Sequence, residues 1–201
     1  MQIINENQKL DKIEFRKKLQ EIADHYICDE QKQAIVELKK VYSYSIEVVR
    51  EAIQGRPETF RYNCFMNTLN VNHEDPKNLI MLISEQELKN NYDTDIFVGV
   101  EFVNFCISNK YLIEIEFNDR KIDENSIIMY FDDNFVPKHA GKIKNGRVVS
   151  KWGKSGHLYA HDIWEIPISY GTNVKYYQVI SDKEIVECFV EYAKSKDVVI
   201  P

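Results

Sequence analysis

Residues 139–152 read His139-Ala140-Gly141-Lys142-Ile143-Lys144-Asn145-Gly146-Arg147-Val148-Val149-Ser150-Lys151-Trp152. Asn145-Gly146 sits between two runs of strand character. Asn-Gly supplies the two positive φ values of a type I′ turn at the lowest cost. The spacing predicts a β-hairpin over 139–143 and 147–152. Three further strands surround it. Tyr111 to Phe117 alternates, with Ile113, Ile115 and Phe117 on one face, Ile127 to Phe131 is a continuous apolar run, and Val174 to Ile180 follows the hairpin.

Helical patterns lie on both sides of these strands. Ser181-Asp182-Lys183-Glu184 has the form of a capping box and opens a helix to about Lys196, with Ile185, Cys188, Phe189 and Tyr192 on one face. Ser84-Glu85-Gln86-Glu87 has the same form. An apolar helix is expected near Ile96 to Ser108, and a short one from Cys64 to Asn70. Cys106 and Cys188 fall on apolar faces and read as small buried hydrophobes. Residues 8–55 carry two apolar stripes, Leu10, Ile13, Phe15, Leu19, Ile22 and Ala23, then Ile35, Leu38, Tyr42, Ile46, Val49 and Ile53 at steps of three and four. Gly55 and Pro57 supply the stop. Two helices, 8–26 and 29–54, are predicted. The fold class is therefore α+β: an N-terminal helical hairpin (1–57), then a domain (58–201) with helices packed on an antiparallel sheet of about five strands.

Composition bounds the function. The 201 residues (23.7 kDa) suit one domain with a helical appendage. Lys plus Arg is 26 and Asp plus Glu is 32, a net charge of −6. A phosphate-backbone binder is normally basic, so a nucleic-acid partner is not expected. Seven Gly and five Pro exclude collagen-like and low-complexity readings. No apolar run approaches the ~18 residues of a membrane span, and Met1 to Asp11 is polar, without the core of a signal peptide. A cytoplasmic location and free thiols are expected. Cys28, Cys64, Cys106 and Cys188 lie 36, 42 and 82 residues apart, unlike a zinc cassette. No metal and no cofactor are expected.

Cys64 is the candidate nucleophile. It begins the pattern Cys64, Phe65, Met66, Leu69, and a cysteine at a helix start faces unpaired N–H groups and the positive end of the dipole. Both lower a thiol pKa, and the same N–H groups can hold an oxyanion. His139 opens the hairpin strand, from which a ring can project into a cleft. His157 and His161 have the i, i+4 spacing of a helical metal pair. Gly153 and Gly156 before them and Pro167 after favour a loop, and no third ligand stands at a telling distance. Asp132-Asp133-Asn134 lacks the spacing of a calcium loop and reads as a solvated turn. Lys138, Lys142, Lys144, Arg147, Lys151 and Lys154 make the hairpin locally basic, either a docking face for an anionic partner or a solvated ribbon.

The order Cys64 on a helix, strand Ser126 to Phe131, His139-Ala140-Gly141-Lys142-Ile143, then Gly146-Arg147-Val148-Val149-Ser150 resembles the NlpC-type papain-like cysteine peptidases, relatives of the CHAP amidases and LRAT-like acyltransferases. The run Ser150-Lys151-Trp152-Gly153, with His161, Pro167 and Tyr170-Gly171, is similar to a bacterial branch of that fold in which an Asn-Cys dipeptide precedes a Ser-Lys-Trp-Gly run. The resemblance covers about residues 60–180. It implies Cys64 as nucleophile and His139 as general base. Ser150 stands near the position of the orienting residue, where His, Asn or Gln is usual, and His161 is the alternative. Asn63 either helps form the oxyanion site or stabilises the turn. The chain departs from the family pattern beside the nucleophile, where Phe65 and Met66 replace small residues, and before the second strand, where Asn125-Ser126 replaces Gly-Asp.

The resemblance implies amide, ester or thioester chemistry on a peptide, glycopeptide or acyl substrate, by a hydrolase or acyltransferase. The alternative is a catalytically inactive papain-like fold serving as a binding module, in a bacterial toxin or defence system, with a protein partner on the N-terminal helices.

Overall fold

A computed structural model describes residues 6–25, 28–38, 40–51, 62–71, 80, 96–116, 123–153 and 156–198. The hairpin that organises the sequence is present. Strand β4 (Pro137–Lys144) turns at Asn145 (φ 50°) and Gly146 (φ 73°) into β5 (Arg147–Lys151). Both φ values are positive, as a type I′ turn demands. The other strands are β1 (Glu47–Arg50), β2 (Glu114–Ile115), β3 (Ile127–Phe131), β6 (Leu158–His161) and β7 (Asn173–Tyr177). Among the described residues they form one seven-stranded antiparallel sheet in the order β1-β6-β5-β4-β3-β7-β2.

Both faces of this sheet are covered, which is why β3 is buried at every residue and shows no alternation. Helices α3 (Cys64–Thr68), α4 (Val100–Ser108) and α5 (Asp182–Ser195) share one core with Ile127, Met129, Phe131 and Ala140. Phe15, Leu19 and Ile22 of α1 (Glu6–His25) and Ile35 of α2 (Cys28–Leu38) share the other with Ile128, Tyr130, Val148 and Tyr159. The capping box at α5 is complete: Ser181 Oγ accepts from the Glu184 amide, and the Glu184 carboxylate accepts from the Ser181 amide at 2.9 Å. No described helix is long and apolar enough to cross a membrane.

The α+β class with N-terminal helices stands, but seven strands replace the expected five, and the two extra ones have identifiable causes. The helix expected over 29–54 ends at Leu38, and β1 follows. Ile46 and Val49, which share a helical stripe on paper, part company: Ile46 is 5% exposed and Val49 53%. The β-branched Val48-Val49 pair is better placed on a pleated edge, where β1 pairs with β6. The Glu165 carboxylate fixes the entry to β1, accepting from the Ser45 amide (2.9 Å) and hydroxyl (2.7 Å). The segment around His157 and His161, read as a loop, is β6, paired to β5 from Val148↔His161 to Lys151↔Leu158. At the other end of the sheet β2 is shorter than expected. The capping box at Ser84, the stop at Gly55-Pro57, Phe117 and Lys154 lie outside the described residues.

Candidate functional site

Asn63 caps α3. Its Oδ1 accepts from the Met66 amide at 2.9 Å, and its Nδ2 donates to the Val98 carbonyl at 2.8 Å. Of the two roles open to it, the structure gives Asn63 that of a turn and cap residue. The cap sets Cys64 as the first helical residue. The thiol is 8% exposed and receives the backbone amides of Ala140, Phe65 and Cys64 itself. Those amides favour the thiolate, as does the Lys151 charge more weakly. Burial outweighs them and pushes the thiol up to about 11.

The Ala140 amide is available for a structural reason. The β4–β5 ladder runs only from Lys142↔Val149 to Lys144↔Arg147. Nearer the start of β4 the strands stay close but no longer pair, and the Cys64 thiol takes the Ala140 amide. Gly141 permits this approach of the two strands: a Cβ there would stand 2.8 Å from Val148 Cγ1 and 3.0 Å from Ser150 Cβ.

His139 is the residue before Ala140, and the pleat sends it to the other face, opposite Tyr130. Its ring stacks on Tyr170, centroids 4.1 Å apart at 22°. It is 1% exposed and its Nε2 has no hydrogen-bond partner among the described residues. Burial first, and the neighbouring His161 second, hold its pKa well below the usual imidazole range, so the ring is neutral. Among the described residues no hydrogen bond joins the Cys64 thiol to His139. The two residues meet across the backbone of β4.

Ser150 and His161 are brought together, Oγ to Nε2 at 2.8 Å. His161 Nδ1 lies 2.8 Å from the Asp162 carbonyl. A carbonyl only accepts, so Nδ1 carries the ring proton, Nε2 accepts, and Ser150 donates. Both residues are fully buried. Burial brings the His161 pKa down to about 4. The pair lies on the His139 face of the sheet, with no hydrogen bond to His139 among the described residues.

Two residues at the site were missing from the candidates. Tyr170 ends a 3-10 turn (Ile168–Tyr170) and covers His139. The Gly153 amide meets its hydroxyl, and burial raises the phenol pKa. Arg16 of α1 holds this turn down. It donates to the carbonyls of Ile166 (3.2 Å), Pro167 (3.3 Å), Ile168 (3.5 Å) and Gly171 (2.6 Å). Phe15, Leu19 and Ile22 of α1 are buried against this chain's own sheet, while Ile13 is 39% exposed. The second residue is Lys151, read as part of the basic hairpin, a docking face or a solvated ribbon. It is 1% exposed. Its Nζ donates to Gly156 (2.8 Å) and Gly153 (3.2 Å) and lies 4.9 Å from the centre of the Tyr62 ring. The alternation of β5 carried the signal, since Lys151 falls on the face that α3 covers.

The other hairpin cations are largely occupied. Lys138 pairs with Asp132 (3.2 Å), Arg147 with Glu47 (2.9 Å), and Lys142 reaches Asn70. Asp132 is the turn residue expected, its Oδ1 accepting from the amides of Asn134 and Val136, both at 2.9 Å. On the extended β6, residues four apart are spread too far to share one ion. Among the described residues no cluster of three His, Cys, Asp or Glu side chains is placed to hold a metal.

Comparison with curated proteins and with solved structures returns no match. A family model does match, over residues 53–178, well over half of the chain and including Cys64, His139, Ser150, His161 and Tyr170. The chain belongs to that family, described as a domain of unknown function (DUF7689).

Proposed function

We propose that the chain is a cysteine-dependent acyl-transfer enzyme of papain-like, NlpC type, a hydrolase or acyltransferase acting on an amide, ester or thioester. The observation that carries this reading is the Ala140 amide on the Cys64 sulfur. It sets the candidate nucleophile, at the start of a capped helix, one residue from the candidate base. The state described is closed: the thiol is protonated and Tyr170 lies on His139.

In the reaction Tyr170, which stacks on the imidazole and lies close enough to Cys64 for the two to interact electrostatically, moves out, and His139 swings toward the thiol and takes its proton. The thiolate attacks the carbonyl carbon, and the amides at the start of α3 hold the oxyanion. His139 then protonates the leaving amine, alcohol or thiol, and water or a second acceptor resolves the thioester. Ser150 and His161, bonded to each other on the His139 face, stand as its orienting group, with His161 near enough to act on it electrostatically.

The second reading is a binding module that keeps this fold without the chemistry. The thiol pKa of about 11 and the stacked, neutral His139 favour it. Acyl-enzyme trapping separates the two. Wild type, Cys64→Ala and His139→Ala are incubated with p-nitrophenyl acetate and an acetyl thioester, then quenched in acid and mapped by mass spectrometry. The enzyme reading expects an acetyl group on Cys64 in the wild type, at least tenfold less in His139→Ala, and none at that peptide in Cys64→Ala. Equal background labelling in all three selects the binding module.

A further inference from the structure

Helices α4 and α5 lie side by side on the Cys64 face of the sheet. Phe102 of α4 packs against Phe189 and Tyr192 of α5, centroids 5.4 Å apart in each case. Cys106 and Cys188 meet in this seam. Both are 0% exposed, they lie 82 residues apart in the chain, and their sulfurs are 2.6 Å apart. A disulfide needs the sulfurs at about 2.05 Å, so closing the bond asks for a shift of about half an ångström. We propose that Cys106 and Cys188 are an oxidisable pair that closes to a disulfide joining α4 to α5, with a peroxide as the oxidant.

The chemistry balances on these two side chains. One thiol loses its proton and attacks a peroxide oxygen. The O–O bond breaks, a sulfenic acid forms, and one water leaves when the peroxide is hydrogen peroxide. The second sulfur attacks the sulfenic sulfur, the S–S bond forms, and the hydroxyl departs with the second thiol's proton as another water. The two thiols give up two electrons and the peroxide takes them.

Burial sets the rate. Desolvation, and then Cys188 beside it, raise the Cys106 pKa, so thiolate is scarce while the seam is closed. Oxidation therefore waits on local opening of α5. The partner sulfur is already in contact when the sulfenic acid forms, which favours the disulfide over further oxidation. Closing an 82-residue loop also restricts the unfolded chain, so the oxidised protein melts higher.

The test treats the folded wild type with hydrogen peroxide, blocks remaining thiols with N-ethylmaleimide in denaturant, and maps the unreduced peptides. The expected product has lost two hydrogen atoms and carries a Cys106–Cys188 crosslink. Its melting temperature rises by about 10 °C and returns on reduction with a phosphine. Cys188→Ala should show neither the crosslink nor the rise. The wild-type map decides the matter even if that variant folds poorly. Cys106 and Cys188 both still alkylated after treatment, or crosslinked instead to Cys28 or Cys64, would overturn the proposal.

Discussion

Gly156→Ala is expected to destabilise the protein by about 3 kcal/mol, while Gly153→Ala, three residues away, should cost only about 1 kcal/mol. Both glycines flank the turn between β5 and β6, for different reasons. Gly153 has φ +66° and open space around a built Cβ, so a side chain there meets only the left-handed backbone penalty. At Gly156 a Cβ would fall 1.8 Å from the Trp152 carbonyl oxygen and 2.9 Å from its carbon. Those are main-chain atoms, and they have little freedom. The Trp152 amide donates to His157 (3.1 Å) and the Gly156 carbonyl receives Lys151 Nζ. Moving the turn therefore strips a partner from a buried cation as well as from the backbone. Urea unfolding at pH 7 checks this. Equal losses for the two variants would mean that the turn relaxes and that Lys151 is not held as described.

Acid is expected to weaken the fold by about 3 kcal/mol through His161 alone between pH 6.5 and pH 4. In the unfolded chain this imidazole takes its proton near its ordinary value of 6.5, and in the fold only near 4. Between those values the unfolded state binds more protons, so falling pH favours unfolding. The stability is whole above about pH 6.5 and is lost as the pH drops toward 4. His139, whose pKa burial also holds well below the usual imidazole range, adds in the same direction. Urea unfolding of wild type and His161→Gln at pH 7, 5.5 and 4 separates His161 from the carboxylates. The variant should be less stable at pH 7, because a glutamine amide cannot serve Ser150 and the Asp162 carbonyl together with the geometry of the imidazole, and should lose markedly less on acidification. Identical acid losses would show that His161 is not buried neutral.

Several parts of this structure were legible in the sequence because local chemistry decided them. Asn145-Gly146 demanded a turn that few other pairs supply so cheaply. Ser181 and Glu184 marked the start of α5 by reciprocal hydrogen bonds that need no tertiary context. Cys64 at a helix start and His139 on the hairpin strand followed from the same kind of signal. β1 was not legible, since Ile46 and Val49 satisfy a helical stripe as well as a strand edge, and only pairing with β6 decides between them. β6 was obscured by the two glycines that build the turn before it.

The closing-off of the site was also beyond local reading. The stacking of Tyr170 on His139 depends on Arg16, more than 150 residues away, capping the turn that carries it. The burial of Lys151 depends on α3 covering its side of β5. The sequence shows which residues bear chemistry, and the packing of distant segments sets their protonation.

The most direct test of the account is the pH dependence of Cys64 alkylation by iodoacetamide, read on the Cys64 peptide by mass spectrometry. The wild type, Tyr170→Ala, His139→Ala and the double variant are compared. The wild type should react with an apparent pKa near 11. Tyr170→Ala should bring it below the ~8.5 of a free thiol, and His139→Ala in that background should raise it again. A Cys64 pKa that none of these substitutions moves would contradict a Cys64–His139 centre.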